Sequence, residues 1–351
     1  MYFNIRSAGM CFICTVFMFM TVSCRKSSVP AVRPAENSVS GHKPDIGFSI
    51  DTLAIERWQR DLDVFMNTVK ELGGDVIVQN AGNSIEEQNR QLLYLADKGA
   101  SVIVVVAKKA DSLTDTIQKL RARNIQVIAY DRLITKADIS MYVTVNTEEV
   151  GELMAKGLMS LTGGRKWFCI LGPEEDFNMT LIQQGVHKII ENTGVHITET
   201  YYTDGWNYDL SYRKMADLLS AGNIPDAIVC GNDAVADSVI QALTAYYPGH
   251  SIPLCGQDAD ITACQHIVHG RQSFTVYKPI TKLAEEAARY AVLLSEGKKV
   301  EDIVPDNDRI DNGYASVPVV WLKPMTVNKT NIDDVVIKSG FHTYGEVYRT
   351  K

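Results

Sequence analysis

The chain has 351 residues, 46% of them hydrophobic and 22% charged, with a formal net charge of −7. That composition excludes a largely disordered chain and is enough for two lobes, each with its own core. The acidic balance, with no basic run longer than a pair or triple of Lys and Arg, argues against a nucleic-acid surface.

The N-terminus reads as a targeting segment. Arg6 supplies a positive charge, residues 8–22 are almost uninterruptedly apolar, and Ser23-Cys24 follows directly. The run is short for a membrane span. It resembles a bacterial lipoprotein signal over residues 1–23, which makes Cys24 the lipid-bearing residue, although Thr21 stands where that pattern usually has an aliphatic side chain. A plain secretory signal cleaved nearby is the alternative. Residues 24–43, rich in Ser, Pro, Val, Ala and Asn and without an apolar period, read as a flexible tether.

Regular alternation begins at a strand over 45–50, followed by a helix over 54–72 with Leu62, Phe65, Met66 and Val69 at helical spacing and a Gly73-Gly74 stop. Strands over 75–79, 101–106, 126–130 and 141–145 alternate with helices over 84–98 and 111–123, the pattern of a parallel sheet covered on both faces. A helix over 147–161 carries Glu148 and Glu149 in its first turn, where the helix dipole favours them. The pattern then restarts, with strands over 166–171, 195–200, 226–230, 253–255 and 273–276 between helices over 178–192, 209–220, 233–246 and 260–268. A helix over 280–294 ends at Gly297, and the tail from 306, with Pro318, Pro324 and short apolar runs such as 334–337, reads as return strands and connectors. Two similar α/β halves imply two lobes facing each other across a cleft.

The segment Ile-Gln-Val-Ile-Ala-Tyr-Asp-Arg at 125–132 ends an apolar strand abruptly in a carboxylate and a guanidinium. In open α/β sheets the C-terminal strand ends face the ligand crevice, so Asp131 and Arg132 either meet a ligand or close a loop as a structural ion pair. Asn146, Asn232, Asp258 and Lys278 repeat the pattern after other apolar runs. The sequence contains no G-x-G-x-x-G, P-loop, G-x-S-x-G elbow or H-E-x-x-H, and marks out no nucleophile or general base, so an enzyme is the last choice and no cofactor is implied. His266 and His269 share a helix face but lack a third metal ligand at a fixed offset, and read as solvated rather than as a metal site. Cys169, Cys230, Cys255 and Cys264 read as buried thiols, with spacing that does not decide a disulfide. What is present suits a neutral polyol. Hydroxyls both donate and accept, so their site needs carboxylates, amides and cations together, while the C–H faces of a sugar need flat aromatic surfaces. Trp58 and Trp206 stand in polar contexts, one in each half, although core packing or a helix-start staple explains either one singly.

The segments Ile-Glu-Arg-Trp-Gln-Arg-Asp at 55–61, Ala-Tyr-Asp-Arg-Leu-Ile at 129–134, Val-Gly-Glu-Leu at 150–153, Asp-Gly-Trp at 204–206, Asn-Asp-Ala at 232–234, Gly-Gln-Asp-Ala-Asp at 256–260 and Thr-Val-Tyr-Lys-Pro-Ile at 275–280 resemble the periplasmic D-xylose-binding proteins of bacterial ABC importers. The resemblance spans about residues 45–345. It implies a type I periplasmic-binding-protein fold: two Rossmann-like α/β lobes with parallel sheets flanked by helices, joined by three hinge crossings. Residues 44–146 plus 279–309 would form the N-terminal lobe, and 147–278 plus 310–345 the C-terminal lobe. It also implies a monosaccharide, D-xylose first, held in the cleft as the lobes close. Trp58 and Trp206 would stack on the ring, and Arg57, Asp131, Arg132, Asn232, Asp258 and Lys278 would bond its hydroxyls. Asn178 aligns with a further sugar-contacting asparagine, in a segment, Asp-Phe-Asn-Met-Thr at 176–180, where Phe177 and Met179 are bulkier than the family pattern. Gly231 stands where a serine is common, a change expected to loosen the turn. The implied protein is a lipid-anchored periplasmic monomer that hands its ligand to an ABC permease, or as a sensory co-receptor to a membrane histidine kinase or chemoreceptor. A transcriptional repressor shares the architecture, but the export signal and the missing helix-turn-helix segment speak against it.

Overall fold

Uniformly apolar runs such as Val102–Val105, buried at every residue, are too hydrophobic for a half-solvated strand and become the central strands of two covered sheets. The computed structural model describes residues 45–304 and 308–349; the signal segment, the tether and Cys24 lie outside the described residues.

The first lobe is built from β1 (Asp45–Ile50), α1 (Glu56–Glu71), β2 (Asp75–Asn80), α2 (Ile85–Asp97), β3 (Val102–Val105), α3 (Thr114–Ala122), β4 (Gln126–Tyr130) and β5 (Met141–Val145). The second follows with α4 (Thr147–Leu161), β6 (Lys166–Leu171), α5 (Phe177–Ile190), β7 (His196–Tyr202), α6 (Tyr208–Ser220), β8 (Ala227–Cys230), α7 (Asp233–Tyr246), β9 (Leu254–Gln257), α8 (Ile261–Val268) and β10 (Phe274–Tyr277). The chain returns to the first lobe in α9 (Ile280–Ser295), β11 (Arg309–Asp311) and β12 (Ser316–Leu322), and re-enters the second at β13 (Met325–Val327). The sheet orders are β11-β12-β5-β4-β3-β1-β2 and β13-β10-β9-β8-β6-β7. All pairings are parallel except the two at the edges, β11 with β12 and β13 with β10.

Three crossings therefore join the lobes: between β5 and α4, between β10 and α9, and between β12 and β13. Two of them are bonded to each other, because the Asn146 N–H donates to the Leu322 carbonyl at 3.0 Å. The Asn146 side chain accepts from the Glu149 N–H and so caps α4. The helices α1 and α9 pack together on one face of the first sheet, while residues of α2 and α3 share a separate core with its other face. Leu62, Phe65 and Val69 of α1 are buried as the helical period requires, but Met66 at the edge of the same stripe is 40% exposed.

Two expectations change. Residues 310–322, assigned from sequence to the C-terminal lobe, lie in the first sheet, with Val319 to Leu322 pairing in parallel with Tyr142 to Val145. The preceding helix α9 supplies the crossover a parallel strand needs, and Val317 and Val319 bury against the first lobe. Residues Asp333–Ile337 form a π-helical turn rather than a strand or connector. Val336 is its buried residue and Ile332, four before it, is buried at the position preceding the turn, a spacing that a short apolar run does not distinguish from a strand. Cys169, Cys230, Cys255 and Cys264 are buried free thiols.

Candidate functional site

The site is made at strand ends where the backbone leaves ordinary geometry. At the end of β4, Asp131 has φ +61°, and the Arg132 N–H turns back to the Tyr130 carbonyl at 2.7 Å. The Asp131 N–H donates to the Val143 carbonyl at 2.9 Å, while its own carbonyl accepts from Tyr142 Oη at 2.7 Å and Thr144 Oγ1 at 2.8 Å. Asp258 after β9 has φ +98° and is held by its N–H on the Val276 carbonyl at 3.0 Å; Trp206, in a short 3-10 turn, has φ +57°. A left-handed backbone costs a non-glycine residue on the order of 1–3 kcal/mol and persists only where neighbours over-determine it. Here it turns three side chains into one cleft.

Arg57, in the first turn of α1, is the centre of the charge network. Its guanidinium pairs with Asp61 one turn on, at 3.1 and 3.3 Å, with Asp131 at 2.9 Å and with Asp258 of the other lobe at 3.5 Å. Tyr130 Oη donates to the same Asp61 carboxylate. Burial opposes the Arg57 charge, but Asp131, Asp61 and Asp258 hold its pKa well above the ordinary value. Burial likewise pushes the Asp131 carboxyl up, and Arg57, Lys278 and Arg132 together overcome it, bringing the pKa down to about 2. Arg132 bonds Asp51 at 2.6 Å behind the cleft and meets Asp176 of the second lobe at 2.7 Å. Lys278 Nζ lies 3.3 Å from Asp258. Asn178 Nδ2 donates to Asp131 Oδ1 across the lobes at 2.9 Å. Asn232 caps α7 by accepting from the Val235 N–H at 2.9 Å, which commits its oxygen and leaves Nδ2 as its donor end.

The two tryptophans are both core and wall. Trp58 is 2% and Trp206 8% exposed, each belongs to the large apolar cluster, and each lines the same cavity, so packing in the core does not keep either ring out of the cavity wall. The Arg57 guanidinium lies 4.3 Å from the centre of the Trp58 ring. Trp206 requires Gly172: a Cβ there would fall 2.2 Å from the indole Cη2. Gly231 is required in turn, because a Cβ would fall 2.5 Å from the Gly172 nitrogen. The glycine thus seats the neighbouring loop closely instead of loosening the turn. Of the two bulky residues in 176–180, Met179 lines the cavity and its Sδ accepts the Gly172 N–H at 3.0 Å. Phe177 instead packs across the lobe boundary on the apolar cluster of α2, α3 and their strands.

One cavity collects Arg57, Trp58, Asp131, Arg132, Asn178, Trp206, Asn232, Asp258 and Lys278, together with Ile55, Asp176, Met179 and Gln257. Every ligand-facing residue expected from the sequence is in this wall. Its three cations and three carboxylates, Asp176 included, balance in number, which suits an uncharged ligand rich in hydroxyls. The sequence reading missed Asp61, Asp176, Gly172 and Gln257. Asp61 was signalled by its i,i+4 spacing from Arg57, and Asp176 by its place as the N-cap of α5. Nothing local marks Gly172 as the seat of a tryptophan 34 residues on. His266 and His269 lie elsewhere, facing Asp237 at 2.7 Å and the Gln265 carbonyl at 2.6 Å.

The lobes are closed. Besides the Arg57, Arg132 and Asn178 contacts, Lys108 Nζ of the first lobe meets Glu175 of the second at 2.7 Å, outside the cavity wall. Opening would part all four contacts and expose the cavity, so a ligand that bonds both lobes favours this state over the open one.

The periplasmic binding protein domain model matches residues 46–299. The D-xylose-binding periplasmic protein of Haemophilus influenzae is 38% identical over 89% of this chain and 95% of its own length. Its Escherichia coli counterpart is 36% identical over 88% of this chain and 95% of its own length. An ABC transporter solute binding protein from Clostridium phytofermentans, solved with bound β-D-glucose, superposes with a TM-score of 0.80 at 26% identity, covering 86% of this chain and 99% of that one. The two-lobed fold, the domain match and these relatives agree: the chain belongs to the periplasmic binding protein family.

Proposed function

We propose that the protein binds a single monosaccharide, D-xylose first, in the cavity between its lobes and presents the closed form to an ABC permease. The observation that carries this reading is the convergence of Arg57, Trp58, Asp131 and Arg132 from one lobe and Asn178, Trp206, Asn232, Asp258 and Lys278 from the other on one small cavity. The family is one of binding proteins for transport rather than enzymes, and its named relatives are periplasmic. The nine residues are proposed as ligand contacts, the tryptophans by stacking and the rest by hydrogen bonds.

Residues 1–23 are proposed as a cleaved signal and Cys24 as a lipid anchor, with 24–43 as the tether that gives the monomeric binding unit its reach. Metabolic labelling with a fatty-acid probe checks this: label lost on Cys24→Ala supports the anchor, and label retained removes it.

The binding reading is tested by calorimetry of the protein carrying Cys24→Ser against D-xylose, L-arabinose, D-ribose, D-glucose and D-galactose. One-to-one binding with D-xylose tightest is the expected result. A different preferred sugar would move the specificity while keeping the site, and silence with all of them would overturn the reading.

A further inference from the structure

Gln257 ends β9 in the cavity wall, is 2% exposed and lies next to Asp258 in sequence. Its Nε2 donates to the Gly231 carbonyl at 2.7 Å. That bond fixes the amide, since the reversed orientation would set Oε1 against the Gly231 oxygen. Oε1 is then buried with no hydrogen-bond donor among the described residues. Three neighbouring acceptor groups are already engaged. Asp131 uses Oδ1 for Asn178 and Oδ2 for Arg57, Asp176 serves the Asn178 N–H and Arg132, and Asn232 Oδ1 caps α7. A buried carbonyl oxygen without a donor is costly and uncommon in native proteins, so the donor is to be sought in what fills the cavity.

We propose that Gln257 is a sugar-contacting residue whose Oε1 accepts a hydrogen bond from one ring hydroxyl, and that selectivity at that hydroxyl depends on it. The inference rests on the monosaccharide reading of the cavity. A hydroxyl supplies the missing donor, and its own lone pairs remain available to the cationic groups of the wall. Gln257 also ties the ligand to the loop that seats Trp206, because its Nε2 holds Gly231, and Gly231 abuts Gly172 beneath the indole. The competing role is a brace, in which the amide serves Gly231 alone.

A coupling cycle separates the two. The protein carrying Cys24→Ser, with and without Gln257→Leu, is titrated calorimetrically with D-xylose and with the derivatives lacking one ring hydroxyl at a time. Gln257→Leu should weaken D-xylose binding about threefold to tenfold. For one deoxy sugar the Gln257-containing protein should lose at least that factor and Gln257→Leu should cost nothing more, while the other deoxy sugars keep the full effect of the substitution. A loss of equal size for every sugar would mean a brace and overturn the proposal. Failure of the Gln257-containing protein to bind any of the sugars would instead overturn the sugar reading, and this inference with it. Gln257→Met, which keeps the length of the side chain, repeats the cycle if a thermal melt shows that the leucine variant does not fold.

Discussion

Arg132 and Asp176 meet across the cleft at 2.7 Å, one at the C-terminal end of β4 and the other at the N-cap of α5. Both are buried, and Arg132 is held from behind by Asp51. The pair joins the two lobes inside the cavity wall, so closure adds a second carboxylate to the one Arg132 already holds. Asp176→Asn keeps a capping oxygen for the Asn178 N–H and removes the negative charge from the pair. Sugar affinity should fall about tenfold or more, the scale of a broken buried ion pair, with helix content unchanged by circular dichroism. An unaltered dissociation constant would mean that the pair contributes nothing to the bound state.

Gly172 offers a substitution that acts only through Trp206. In Gly172→Ala the new Cβ, 2.2 Å from the indole, forces the ring to shift. Overpacking of this kind costs about 1–3 kcal/mol. Tryptophan fluorescence should change and sugar affinity should fall, while Trp206→Ala should abolish measurable binding in a folded protein. Normal affinity in both variants would take Trp206 out of the site.

Asp131 sets an acid limit. Its pKa, drawn down to about 2 in the folded protein, lies below the ordinary carboxylate value, so the folded state binds its proton less readily than the unfolded chain. The stabilisation, about 2 kcal/mol, is fully present above roughly pH 4 and is lost as pH falls toward 2. Asp131→Asn lacks this dependence. Urea unfolding of the two proteins from pH 6 to pH 3 should show their stability difference shifting against the wild type with acidification; parallel curves would assign the acid sensitivity elsewhere.

The Lys108 and Glu175 pair sits at the rim, with the Glu175 side chain 28% exposed, and neither residue lines the cavity. Its removal should act on opening alone. Glu175→Gln is expected to raise the sugar dissociation rate by up to about fivefold, as a partly exposed ion pair allows, and to leave the association rate unchanged. Stopped-flow measurement at low salt and at 1 M salt checks this, because screening should reduce the difference. A change confined to the association rate would point to steering of the ligand instead of a latch.

The alternation of apolar runs and amphipathic segments between 45 and 295 located most strands and helices, because each run is long enough for its period to show. Most of the nine wall residues were legible for a related reason. Asp131, Arg132, Asn232, Asp258 and Lys278 stand just past strand ends and Trp58 and Trp206 in polar contexts, all in short motifs whose chemistry is local, whereas Arg57 and Asn178 were marked only by the family resemblance. The tail escaped this logic. Residues 316–322 carry an apolar alternation that fits either lobe, and only the β5 edge left open in the first sheet decided where they pair.

By itself, then, the sequence determined the two-lobed α/β class and the polar side chains that end the strands, since burial period and strand-end polarity are properties of neighbouring residues. The tertiary structure decided the partners. Arg132 meets Asp176, Asn178 meets Asp131, Phe177 crosses to the first lobe and Gly172 seats Trp206 only once the lobes have docked. These contacts join residues brought together by closure, and the positive φ angles at Asp131, Trp206 and Asp258 are held by hydrogen bonds and packing around each turn, so no local pattern encodes them.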